Sequence, residues 1–358
     1  MARQARGKYI NPATVQIVHA VQRCVRRAFL CGKDQHSGNS FEHRREWIRQ
    51  RLEFLASVFA IDCLTYTVLS NHLHLVLRTR PDVVATWSDE TVAERWLRLF
   101  PNRRNENGEP EKPAPHELEM ITADANRLAE IRRRLSDVSW WMRCTAENIA
   151  RRSNKEDRVS GRFWEGRFRA QLILDSASLL ACAAYVDLNP IRAAMAETPE
   201  ESEFTGVKDR IDDLKHRASD STATHAWERS RGCAKSGWLS PVEINGQTDP
   251  TGPDPSPTAR RASQKGFLSI SLTRYLELLD WTGRELPKKK RGSIPAHLAP
   301  ILARLGIDGS GWCTLVQDFG RLFKRVAGTS ESVAAEAARR GQRYMHAPGL
   351  RILSHEPT

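Results

Sequence analysis

The chain has 358 residues, 55 Lys and Arg against 43 Asp and Glu, and a formal charge of +12 at pH 7. That length supports about two domains with a sizeable hydrophobic core, and no apolar run approaches the roughly 20 residues that a membrane helix needs. The cation excess calls for a polyanionic partner, nucleic acid ahead of an anionic membrane surface, because no strongly amphipathic basic helix stands out.

The seven cysteines (Cys24, Cys31, Cys63, Cys144, Cys182, Cys233, Cys313) are scattered and form no C-x-x-C pair. They argue against a structural zinc site or a disulfide framework and fit a reducing cytoplasm. The opening "MARQARGKYINPATVQ" is charged with no apolar core behind it, so it does not read as a secretory signal.

The first predicted element is a strand over Thr14–Val25, followed by a Gly- and polar-rich turn. A helix follows, with Ser40 as N-cap and Phe41, Ile48, Leu52, Leu55 and Phe59 as an apolar stripe of helical period. Two β-rich runs, Ile61–Leu69 and His72–Thr79, are separated only by Ser70-Asn71 and read as a tight hairpin. From Asp82 to Arg152 the chain looks helical, with a surface loop at Asn102–Pro115. "GRFWEGRFRAQLIL" (Gly161–Leu174) reads as another strand, and a helix N-capped by Asp175 runs to the Asn189-Pro190 break. This order resembles a ferredoxin-like α+β layout, a mainly antiparallel sheet with helices on one face. The stretch Ile244–Gln264 has the composition of a linker, and Phe267–Thr358 looks helical, with "SLTRYLELLDW" and "HLAPILARLGI" as amphipathic segments. The expected organisation is a catalytic region over 1–215, a linker over 216–265 and a helical accessory region over 266–358, a candidate for further DNA contact.

Pairing the hairpin across its two-residue turn sets Leu69 opposite His72, Thr67 opposite His74 and Thr65 opposite Val76. His72 and His74 then share one face with small threonines beside them, while Leu64, Tyr66, Val68, Leu73, Leu75 and Leu77 make an apolar second face. Two imidazoles on one rigid face can hold one ion, or they can be ordinary histidines of a partly exposed strand. On the helix after Asp175, Ser178, Cys182, Tyr185 and Asn189 lie along one face. Tyr185 is either a packed ring or a nucleophile; with a phenol pKa near 10 it needs a cation or base beside it. Asn189 is either a cap before Pro190 or a metal ligand.

"SNHLHLVL", "GRFWEGRFRAQLIL" and "AYVDLNPIRAAMAETPEES", in that order, resemble the REP-associated tyrosine transposases, single-tyrosine relatives of insertion-sequence transposases in the HUH nuclease superfamily. The resemblance covers roughly Tyr9 to Thr205. It implies that His72 and His74 bind a Mg²⁺ or Mn²⁺ ion, that Tyr185 is the nucleophile, and that Asn189 completes the metal site. It further implies cleavage of single-stranded DNA next to a hairpin through a 5′-phosphotyrosine and a free 3′-hydroxyl, then rejoining by a second 3′-hydroxyl. The partner is repeat or element-end DNA, in a bacterial cytoplasm close to the nucleoid, with monomer and homodimer both compatible.

In "RFWEGRFR", Arg162, Arg167 and Arg169 can hold phosphates and Trp164 can stack on an unpaired base; the same pattern also fits a strand with buried aromatics and solvated arginines. "RCVRR" (Arg23–Arg27), "EIRRRL" (Glu130–Leu135) and "PKKKRG" (Pro287–Gly292) are further basic candidates. Asp187 and Glu165 read as surface or hydrogen-bonding carboxylates rather than ligands. The competing functions are a hairpin-binding protein that does not cut and a zinc hydrolase that uses only the histidine pair.

Overall fold

A computed structural model describes residues 10–25, 30–33, 38–106, 109–219, 234–245, 252–285 and 309–345. The "PKKKRG" run, the "HLAPILARLGI" segment, and Arg26 and Arg27 lie outside the described residues.

A sheet in the order β2-β3-β1-β4-β5 organises the chain. Strand β1 (Ile17–Arg23) pairs antiparallel with β3 (His72–Thr79) on one side and β4 (Arg169–Ile173) on the other. Strand β2 (Ile61–Val68) closes the hairpin with β3, and the two-residue β5 (Val326–Ala327) adds parallel to β4. Helix α1 (His43–Val58) connects β1 to β2. Helices α2 (Pro81–Ala85), α3 (Asp89–Leu99), α4 (Pro115–Thr122), α5 (Ala125–Leu135) and α6 (Val138–Glu156) connect β3 to β4. The β1-α1-β2-β3-α6-β4 path with sheet order 2-3-1-4 is the ferredoxin-like α+β arrangement.

The expected strand boundaries shift for local reasons. Only Arg169–Ile173 of the Gly161–Leu174 run is strand. Before it, Phe163, Trp164 and Phe168 bury their rings, and the backbone crosses back to β1 through Val25 N–H to Phe163 O (2.9 Å) and Glu165 N–H to Arg23 O (2.9 Å). Ser40 does not cap α1: it bridges Lys33, and the helix begins at His43 behind Glu42. Asp175 does cap its helix, accepting from Ser178 N–H at 2.8 Å.

Helices cover both faces of the sheet rather than one. The first face (Val18, Ala20, Tyr66, Leu73, Leu75, Leu77) packs under α1, α3, α5 and α6. On the second face Leu64, Val76 and Ile173 meet α7 (Ser176–Asp187), α8 (Asn189–Arg192), α9 (Gly206–Ser219), α10 (Leu272–Glu285) and α11 (Gly309–Leu322). The hairpin register is Thr67↔His74 and Thr65↔Val76, but a bulge between Cys63 and Thr65 moves Leu64 to this second core, away from the face where strict alternation puts it. Helix α7 is buried on nearly all sides, which its run of Ala181, Cys182, Ala183 and Ala184 permits at close range. Helix α12 (Ser330–Arg339) follows β5. Among the described residues no helix is long and apolar enough to cross a membrane.

Buried polar groups tie later segments to this frame. Asp62 on β2 accepts from Arg78 (2.8 Å) and from Ser263 N–H (2.9 Å) and Oγ–H (2.7 Å), while Arg78 also donates to Gly266 O at 2.8 Å. The described part of the stretch with linker composition is thus hydrogen-bonded to the hairpin. Tyr275 of α10 donates to Asp187 at the end of α7 (2.6 Å), and Thr329 N–H donates to Asp175 (2.7 Å).

Asp62→Ala strands the buried Arg78 guanidinium, which pairs with no other carboxylate among the described residues, whereas Arg80 keeps Asp82. The expected cost is about 3–5 kcal/mol, measured by denaturant unfolding; a loss under about 1 kcal/mol, the size of a surface pair, would show that the network is not holding the segment.

Candidate active site

Strands β1 and β3 run side by side, so odd-numbered residues of β1 and even-numbered residues of β3 meet on the second face. There His72 and His74 are joined by a third imidazole, His19 of β1, with Gln171 of β4 next to it. With Gln171 presenting its oxygen to His19, one proton arrangement pairs every ring nitrogen of His19 and His74. Asn189 Nδ2–H donates to His74 Nε2 (3.3 Å), His74 Nδ1–H donates to His19 Nε2 (2.9 Å), and His19 Nδ1–H donates to Gln171 Oε1 (3.1 Å). His72 Nδ1–H donates to the Asn71 side-chain oxygen. Both members of the H-x-H pair therefore have Nδ1 engaged and carry their lone pair on Nε2, the state in which imidazole ligates a metal.

Burial keeps the three rings neutral. It pushes His19 down to about 4 against a smaller raising effect from Gln171, and pushes His72 down to about 4 with help from Arg23 and Arg169. His74 is held well below its ordinary value by burial first, then by the neighbouring imidazoles and Arg192.

Tyr185 arrives from α7. Its ring stands edge-on to His74 (centroids 5.5 Å apart) and His19 (5.8 Å), rests on Phe319 of α11 (5.7 Å), and carries the Arg192 guanidinium 4.6 Å from its centroid. Its hydroxyl lies against Gly320: a Cβ there would sit 2.8 Å from the oxygen, inside any real contact, so only glycine leaves it room. Asn189 starts α8 one turn further on, and Pro190 behind it is tolerated at the head of that short helix.

His19, His72, His74, Gln171, Tyr185 and Gly320 line a cavity of about 370 Å³, with Arg23, Arg167, Arg169 and Lys324 at its walls and Glu165 as the opposing carboxylate; Asn189 is buried behind His74 and is not part of the lining. Glu165 pairs with Arg23 at 3.5 Å. Of the four residues expected to contact DNA, Arg167 and Arg169 line the cavity, whereas Arg162 is solvent-exposed and not part of its lining. Trp164 cannot offer its ring to a base, because it is buried in the first core with Nε1–H donating to Ala146 O (2.8 Å). The arginines of "EIRRRL" are occupied by Glu130 and Asp89. Asp187, read as a surface or hydrogen-bonding carboxylate, is fully buried and takes hydrogen bonds from Thr65 and Tyr275; burial raises its pKa.

Among the described residues no three His, Cys, Asp or Glu side chains converge as a ready-made cage. The donors that fit an ion are the two Nε2 atoms of His72 and His74 and the side-chain oxygen of Asn189, whose amide reverses by rotation about one bond. Two imidazoles with one carboxamide leave positions open for ligand oxygens.

Two outcomes follow. The ring nitrogens of His19 and His72 should stay neutral by ¹⁵N NMR from pH 7.5 to 5; protonation near 6.5, their ordinary value, would contradict their burial. Because the unfolded chain takes protons there and the fold does not, these rings support stability fully above about pH 6.5, and that support declines as pH falls toward 4. Asp209, raised to about 6 by burial, acts in the opposite sense, which makes the nitrogens the cleaner readout. Gly320→Ala should displace the Tyr185 ring and cost about 1–3 kcal/mol; unchanged Tyr185 ring NMR shifts would refute the contact.

No family model matches this sequence, and no curated protein matches it. Among solved structures it is similar to a REP-associated tyrosine transposase bound to a REP hairpin, at 12% identity, over 63% of this chain and 88% of that one, with a TM-score of 0.33.

Proposed function

We propose that this chain is a metal-dependent endonuclease and strand transferase for single-stranded DNA, cutting next to a hairpin with Tyr185 as nucleophile. One observation carries the reading: β3 and α7, far apart in sequence, bring His72, His74 and Tyr185 to one cavity walled by cations.

His72, His74 and Asn189 would hold Mg²⁺ or Mn²⁺, which when bound supplies Lewis-acid polarisation of a phosphodiester. The chain's own residues do the rest. Arg23, Arg167, Arg169 and Lys324 attract and orient the phosphates. His19 and Gln171 fix the ring of His74 so that its Nε2 faces Asn189. Tyr185 Oη attacks phosphorus, the P–O3′ bond breaks, the phenol loses its proton and the departing 3′-oxygen gains one. The 5′-phosphotyrosine conserves the phosphodiester energy, so attack by another 3′-hydroxyl reforms a DNA linkage and releases the tyrosine. The reading places the protein with bacterial DNA in the cytoplasm.

Purified protein and its Tyr185→Phe variant, incubated with labelled single-stranded hairpins and Mg²⁺ or Mn²⁺, should differ by at least about 10⁴-fold in denaturant-resistant adduct, with hairpin affinity unchanged. Chelation should abolish the adduct in the wild type. Hairpin binding with no adduct in either ion would identify a binding protein that does not cut. A hydrolytic activity that needs zinc and survives Tyr185→Phe would identify the histidine-pair hydrolase.

A further inference from the structure

A second cation-lined hollow, of about 760 Å³, lies in the helical layer covering the first core, on the opposite face of the sheet from Tyr185. Arg51, Arg98, Arg104 and Arg151 line it against a single carboxylate, Glu147. The aromatic members are Phe54 and Phe100; Phe100, at the end of α3, is 40% exposed, with its ring braced against Trp96 (centroids 4.7 Å apart) and edge-on to Trp140 (6.4 Å).

Two of the guanidiniums are fixed in place without being neutralised. Arg51 donates to the Cys144 carbonyl from Nε (3.3 Å) and Nη2 (3.1 Å), and Arg98 donates to the Ser57 hydroxyl (3.0 Å). Both sit over Phe54, at 5.1 and 5.8 Å from its centroid. Among the described residues neither has a carboxylate within ion-pairing distance. Burial lowers the pKa of Arg51, opposed by smaller raising effects from Cys144 and from Glu147, which lies beyond ion-pairing distance. Glu147 is already shared by Arg151 and Arg143.

An uncompensated cation held rigidly beside an open hollow is a site for an anion, since the cost of orienting it is already met. Repeated cations interleaved with an exposed ring fit a strand that presents phosphates and unpaired bases alternately. We infer that this groove is a second contact for single-stranded nucleic acid, gripping the sugar-phosphate backbone at Arg51, Arg98, Arg104 and Arg151 and stacking a base on Phe100. The four arginines are spread over α1, the end of α3, the following loop and α6, so the strand crosses several elements.

The test is run entirely in a Tyr185→Phe background, so the outcome is separate from whether that tyrosine cuts DNA. A fluorescein-labelled oligo-dT of about 20 nucleotides, a length spanning a typical single-strand site, is titrated at several salt concentrations. The paired substitution Arg104→Gln/Arg151→Gln lies at solvent-exposed positions, and an unchanged melting temperature confirms that the variant is folded. Removing two phosphate contacts should flatten the slope of log K against log salt by about 1.4, at about 0.7 per contact. Phe100→Ala should weaken binding by about tenfold at an unchanged slope. Equal affinity and slope in all folded variants would overturn the inference. Displacement of the oligonucleotide by polyglutamate, with no effect of Phe100→Ala, would overturn it in favour of an acidic protein partner.

Discussion

A sheet covered on both faces gives polar groups on its central strands little access to water, and two of those strands carry histidines. The row Asn189–His74–His19–Gln171 pairs all four ring nitrogens of His74 and His19 within the protein, and only the Gln171 amide nitrogen at its end has no partner in it. Each ring donates from one nitrogen and accepts on the other, so the row has a direction, and that direction leaves the accepting nitrogen of His74 at the Asn189 end. The row spans β3, β1 and β4 and reaches α8, which means that the order of strands and the seat of the tyrosine helix are set by the same contacts. Loss of any member strands a buried nitrogen or oxygen, at about 1–3 kcal/mol each.

The tyrosine helix meets a different constraint. It is sandwiched between the sheet and the later helices, so it needs small residues on most sides and has no polar face to spare. Tyr185 is the one large side chain it carries at the cavity. It is positioned from outside the helix, by Phe319 and Gly320 of α11 and by Arg192 of α8. Asp187, two residues on, anchors the end of the helix to Thr65 of β2 and Tyr275 of α10.

Much of the sheet was legible because strand period is two. Residues that alternate across a two-residue turn have one register, and Thr67 does oppose His74. Leu64 escaped because a bulge adds a residue without any mark in composition. His19 escaped because a single imidazole in an apolar strand has no spacing to single it out; only the pairing of Val21 with His74 and of Ala20 with Leu75 brings its ring beside the pair. A lone histidine in the first strand, which borders the H-x-H strand in a ferredoxin-like sheet, is the signal that was available. Trp164 was misjudged because an aromatic next to arginines reads alike whether it stacks on a base or fills a core. What decides is the Ala146 carbonyl from α6, and no local pattern supplies that.

The later part of the chain shows the same limit from the other side. Its composition marks a low-hydrophobicity stretch before a helical segment, and a stretch of that kind binds through backbone groups rather than apolar ones. Ser263, Lys265 and Gly266 do this, offering amide hydrogens and carbonyls to a buried Asp62–Arg78 pair. Past them, α10 and α11 complete the second core, and β5 extends the sheet beside β4. A helix that contributes Phe319 to that core thereby also puts Gly320 against the tyrosine hydroxyl, since adjacent positions on one helix cannot be placed independently. The packing that buries the second face and the wall that shapes the cavity are therefore one structure, and the cavity is complete only with residues more than a hundred positions beyond Tyr185 in place.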